Sequence, residues 1–152
     1  MGLDMHLYRH TYVQNWEYDS ANRWEIKITK NGKSSSINSE KIAYVIEQVG
    51  YWRKANAIHM WFVNNIQSRK DDCGEYYVSF EKLQELRDTC QAVIDNPDLA
   101  EEKLPTASGF FFGGTGYGDC YFEDIAETIK ILDEALKADN EDHSTYYYRS
   151  SW

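Results

Sequence analysis

The chain has little of what usually marks a function. Cysteine is scarce and odd in number: Cys73, Cys90 and Cys120, with no CxxC pair among them. That excludes a disulfide framework and a zinc knuckle, and it suits a reducing compartment. No apolar run approaches the ~18–20 residues of a membrane span. The opening MGLDMHLYRH has no apolar core of a signal peptide, so none is expected. Gly2 also lacks a myristoylation context, because position 6 is His6 rather than Ser or Thr. Positive charge is short: 16 Lys and Arg stand against 25 Asp and Glu, a formal net charge of -9. A broad basic face for phosphate backbones is thereby excluded, and no direct nucleic-acid binding is expected. A basic target or an acidic decoy of DNA stays open, although acidic proteins are also simply soluble. Ser-x-x-Lys, Gly-x-Ser-x-Gly and HExxH are all absent. No catalytic set is assigned, and no cofactor or metal is expected.

Aliphatic residues are sparse as well. Leu, Ile, Val and Phe make up only about a fifth of the 152 residues, near the level at which a chain fails to fold. Aromatics fill the gap: 12 Tyr and 5 Trp bury large areas. The chain therefore reads as one folded domain over 1–152. Flexible segments are expected near 31–39 and 138–144, where polar residues and glycine gather. No internal repeat or low-complexity linker divides it.

Alternation in LDMHLYRHTYV, residues 3–13, predicts a half-buried strand with Leu3, Met5 and Leu7 inward. RWEIKITK repeats the pattern and leads into an Asn31-Gly32 turn. Residues 42–49 are ambiguous between strand and helix, and Gly50 suggests a break. A helix is expected from Tyr51 to about Gln67. Ser79 is a good N-cap for a second helix, with Val78 and Leu83 as a staple and Leu83, Leu86, Cys90 and Val93 inward. Gly109–Gly113 reads as a strand followed by a glycine turn. A last helix is expected over about Phe122 to Lys137, and STYYYRSSW as a terminal strand. The order predicts an α+β domain: a mostly antiparallel sheet of four or so strands, with about three helices on one face.

Candidate sites follow. In YWRKANAIHMWFV, helical spacing groups Trp52, Asn56 and His59 beside the buried stripe, with Arg53 one step round. Such a shoulder offers an aromatic wall, an amide, an imidazole and a guanidinium. The plainer reading is a core-edge His and Asn with internal partners. Trp61 falls on the far side, either covered or a contact surface. Asp71, Asp72 and Glu75 in DDCGEYY carry carboxylates for a divalent cation, and Cys73 is a nucleophile if His59 approaches it. Metal loops alternate ligands with spacers over a longer stretch, a pattern absent here, so an ordinary acidic-Gly turn is the favoured reading. Tyr117 stands in GGTGYGD, a glycine loop before a helix that matches neither the P-loop nor the Rossmann pattern. Tyr146 and Tyr148 share one side of the tail. Terminal aromatics there are core, or the edge of a homodimer.

Several stretches together resemble a known family. MGLDMHLY, YWRKANAIHMWFV, DDCGEYYVS and GFFFGGTGYGDCYFEDIAETI are similar to a group of small uncharacterised proteins of bacteriophages, prophages and bacteria. The likeness runs from Met1 to about Leu136 and leaves out the tail from Asn140 to Trp152. It implies a phage accessory protein of the bacterial cytoplasm that binds a host protein or sequesters a small ligand. With the residues, it favours a non-enzymatic binding protein using Trp52, Arg53, Asn56, His59 and Trp61. The rival is a small hydrolase or nucleotide-processing enzyme with His59 as base and nearby carboxylates. An acidic DNA mimic ranks last, since no carboxylate stripe is spaced like phosphates.

Overall fold

A computed structural model describes residues 2–13, 18, 21, 23–137 and 144–152. The expected flexible segment at 138–144 lies, except for Ser144, outside the described residues. The architecture is α+β, with helices packed on one face of a four-stranded antiparallel sheet.

The first strand, β1 (Asp4–Tyr12), has the expected alternation. Leu3, Met5, Leu7, Thr11 and Val13 are buried, while Asp4, His6, Tyr8, His10 and Tyr12 alternate to the other side. β1 pairs with β4 (Tyr44–Arg53) on one flank and with β6 (Thr145–Ser151) on the other. β6 pairs in turn with β5 (Glu75–Val78), giving the order β4-β1-β6-β5. The tail strand is thus interior to the sheet. Tyr146 and Tyr148 are core, and the alternative of a homodimer edge at this strand is ruled out because both its backbone edges are occupied.

Three other expectations change. Gly50 does not break the chain; β4 runs through it, and the step with β1 slips there by one residue, leaving Val49 opposite no partner. Glycine is needed at 50 because a Cβ would lie 2.7 Å from Ile131 of the last helix and 3.2 Å from Leu7. RWEIKITK contributes only β2 (Thr29–Lys30), paired with β3 (Lys33–Ser34) around left-handed Asn31 and Gly32. This small hairpin pairs with nothing else among the described residues, so its apolar alternation has no sheet to join. Gly109–Gly113 forms no strand. Residues 105–118 run as an irregular wall held by side chains.

Four α-helices complete the fold. α1 (Asn56–Asn65) starts after β4, not at Tyr51. α2 (Phe80–Asp95) is capped as expected: Ser79 Oγ accepts from Lys82 N, and Leu83, Leu86, Cys90 and Val93 are buried. α3 (Ala100–Lys103) is a single turn. α4 (Asp119–Lys137) begins three residues earlier than expected, and its buried stripe is Tyr121, Ile125, Thr128, Leu132 and Ala135. Phe62 of α1 stacks on Tyr148 of β6 at 3.9 Å between ring centres, tying helix layer to sheet.

Candidate functional site

The expected shoulder does not exist as one surface. Trp52 and Arg53 end β4, whereas Asn56, His59 and Trp61 belong to α1. α1 is also buried nearly all round: Asn56, Ala57, Ile58, His59, Trp61, Phe62 and Val63 are all inside. A helix without an outward stripe has no exposed shoulder. A signal for this was present: no charged residue occurs from Ala55 to Ser68. Trp61 is covered rather than outward, packed edge-on against Phe62 at 5.4 Å. Trp52 is buried too, its Nε1 donating to Thr128 Oγ1 of α4 at 2.8 Å.

His59 closes an internal network. Its Nε2 lies 3.0 Å from Asp71 Oδ2, and its Nδ1 lies 2.8 Å from Tyr148 Oη. A carboxylate only accepts, so Nε2 donates to Asp71, and in that tautomer Nδ1 can accept from the Tyr148 hydroxyl. Burial pushes the Tyr148 hydroxyl well above its ordinary range, which keeps it a donor. Asp71 Oδ1 also accepts from Trp152 Nε1 at 3.1 Å, so the network pins the chain end. Both imidazole nitrogens are thus engaged inside the fold, leaving neither to activate Cys73.

The other carboxylates disperse. Asp72 accepts from Tyr76 Oη at 2.8 Å and Gly74 N at 3.0 Å, and pairs with Lys70 at 2.8 Å. Those contacts, with Lys70 foremost, hold its carboxyl down at about 2. Glu75 stands on β5 opposite Arg149. Among the described residues, no three His, Cys, Asp or Glu side chains gather closely enough to share a metal ion. DDCGEYY is a structured turn, consistent with left-handed Cys73.

A second polar neighbourhood lies at the start of α1. A cavity of about 620 Å³ opens between the first turns of α1 and α4, against the glycine loop. That volume is in the range of small-molecule sites. Arg53 and Lys54 border it, as do Asp119 and Asp124 of α4. The N-cap of α1 is Ala55, which makes no side-chain cap. In α4, Phe122 N bonds Gly118 O, so the residue ahead of the helix has no side chain to cap with. Neither helix start therefore has a capping side chain, and the positive ends of both dipoles lie at one cavity, with Asn56 N of α1 bonded to Lys54 O at 2.9 Å.

Asn56 builds the wall of this cavity instead of binding within it. Its Nδ2 donates to the carbonyls of Phe112 and Gly114 at 3.0 and 2.8 Å, and its Oδ1 accepts from Ala107 N at 2.9 Å. Tyr117 supports the same wall, its Oη accepting from Thr106 N at 3.1 Å. Lys54 stands at φ +59, in the left-handed region. Burial, with the Glu123 charge adding to it, pushes the Asp124 carboxyl up to about 6. Of the residues expected to form a site, Arg53, Asn56 and Tyr117 meet here. His59 joins Asp71 elsewhere, and Lys54, Asp119 and Asp124 enter from outside the expected set.

The fold and this cavity define the class as an α+β protein with a small-molecule-sized cleft. Compared with family models, with curated proteins and with solved structures, the chain matches none.

Proposed function

We propose that the chain is a non-enzymatic binding protein that takes a small anionic molecule in the cleft between α1 and α4. One observation carries the reading: two helices begin on the same cavity without a capping side chain, beside Arg53 and Lys54. Uncapped amides and helix dipoles favour an anion, and two cations strengthen that preference. α2, by contrast, is capped by its own Ser79.

Two further features support it. A Cβ at Gly114, Gly116 or Gly118 would meet nothing within 4 Å, and none of the three has a positive φ. Neither packing nor conformation requires glycine there, whereas close backbone approach to a ligand does. Lys54 keeps a long cationic side chain where left-handed backbone disfavours it by about 1 kcal/mol, which suits a residue held for its charge. Asp119 and Asp124 on the same cavity would accept from hydroxyl or amino groups at the ligand's other end.

In a phage or prophage accessory protein of the bacterial cytoplasm, such binding would sequester a host metabolite. A host-protein partner has less support, since Trp52 and Trp61 are buried. The test is calorimetric titration with inorganic phosphate, pyrophosphate and a nucleoside monophosphate. Binding should vanish in Arg53→Ala/Lys54→Ala while the melting temperature holds. Equal affinity in that variant, or no heat with any of the three anions, would overturn the reading. A second, enzymatic reading rests on Asp124 alone, whose raised carboxyl titrates where a general acid or base works. Product formation from a bound phosphate ester, lost in Asp124→Asn, would favour it.

A further inference from the structure

The sheet ends in two edges that differ. β5 is 4 residues long and leads directly into α2. β4 is 10 residues long and, among the described residues, pairs only with β1. Every residue from Tyr44 to Gln48 is exposed, including Tyr44 at 54%, Val45 at 39% and Ile46 at 58%. Val45 lies opposite Thr11 and Ile46 opposite His10, so apolar surface is open on both sides of the strand. Lys and Pro, which protect natural edges, are missing from 44–52.

We infer that this edge of β4 pairs antiparallel with the same edge of a second copy across a two-fold axis, joining two sheets into one. A register centred on Ile46 is self-complementary: Tyr44 meets Gln48, Val45 meets Glu47, and Ile46 meets its own symmetry mate. Glu47 is the only carboxylate on β4, and Arg9 Nε already neutralises it at 2.7 Å within the same chain. The edge therefore neither repels its copy nor offers the acidic patch that a basic partner would need. The slip at Val49 bends the strand and confines regular pairing to its apolar half. So short a contact belongs to the weak, reversible class of interfaces. The net charge of -9 on each copy opposes approach at long range. Screening by salt should then strengthen the dimer, the reverse of a contact with a cationic partner.

Sedimentation velocity of the full chain from about 1 to about 200 μM, at low and high salt, tests this directly. The expected result is a mass rising toward twice 17.8 kDa with concentration, and a dimer several-fold tighter at high salt. Ile46→Lys sets two ammonium groups opposite one another and should weaken association by about tenfold or more. Tyr77→Lys, on the β5 edge, should leave it unchanged. A single mass of 17.8 kDa throughout, or a dimer indifferent to Ile46→Lys, would overturn the inference. Should the Ile46 variant fail to fold, hydrogen exchange of the unaltered chain decides. Amides of Tyr44–Gln48 should slow as concentration rises, and constant exchange there refutes the pairing.

Discussion

Two polar neighbourhoods sit within one helical turn of α1, and they are built oppositely. Around His59, each ring nitrogen has a partner, and Asp71 is shared with Trp152. At the helix start, Ala55 caps nothing, and Arg53 and Lys54 border open space. Low dielectric explains the contrast. A buried polar group left unmet costs about 1–3 kcal/mol, which favours a partner on each nitrogen of the buried imidazole. A cleft open to solvent can leave donors unmet by protein until a ligand arrives. Closed networks hold a fold together, whereas unmet donors are available for binding.

The largest effect should come from breaking the closed side. His59→Ala leaves the Tyr148 hydroxyl and Asp71 without their partner and opens a cavity under Phe112, which packs edge-on to the ring at 5.1 Å. A loss of about 3 kcal/mol is expected, seen in thermal melts as a drop of roughly 6–12 °C. Anion affinity in the fraction still folded should barely change. A purified His59→Ala chain that melts like the parent but binds no anion would mean the two neighbourhoods had been assigned the wrong way round.

Asn56 sits between the two and should show both effects. Asn56→Ala removes three hydrogen bonds that fasten the 105–118 wall, for a cost of about 2 kcal/mol. The same change lets the glycine loop drift, so affinity should fall by about tenfold. Loss of stability with unchanged affinity would show that the loop is not part of the binding surface.

How much of this was legible in the residues themselves depends on the range of the forces involved. β1, α2 and α4 are governed by periodicity and local capping, and Leu3, Ser79 and Ile125 behave as their neighbours dictate. α1 misled because its spacing fits an amphipathic helix, while neighbouring elements bury it on all sides. Gly50 misled because the demand for glycine comes from Ile131, distant in sequence. Both polar neighbourhoods depend on long-range assembly. No local pattern joins His59 to Tyr148, or brings the starts of α1 and α4 together. Arg53 and Asn56 stood out through residue type, whereas their places, at the border of the cavity and in its wall, came only through geometry.

A milder test uses pH. The Asp124 carboxyl binds its proton more tightly in the folded chain, up to about 6, than in an unfolded one. The stability it adds is thus fully present below its unfolded value near 4 and is lost as pH rises through 6. Asp124→Asn removes that term. The melting temperature of the variant relative to the parent should therefore rise between pH 4 and pH 7.5, by a few degrees. A constant difference across that range would mean the carboxyl is not held up by its surroundings.

The smallest structural change is the most pointed. Gly116 has open space where a Cβ would go and a backbone that any residue adopts. Gly116→Ala should leave the fold intact or stabilise it by up to about 1 kcal/mol, because the unfolded chain loses more freedom than the native one. If glycine stands there so that an anion can approach the backbone, the added methyl group should weaken phosphate binding by several-fold as it firms the fold. A variant that is firmer and binds equally well would reduce the loop to a spacer and leave Arg53, Lys54 and the two helix starts as the whole of the site. Opposite signs in melting and in titration, from one methyl group, are hard to obtain by general damage. That makes this substitution the sharpest separation of groups that hold the fold from groups that wait for a ligand.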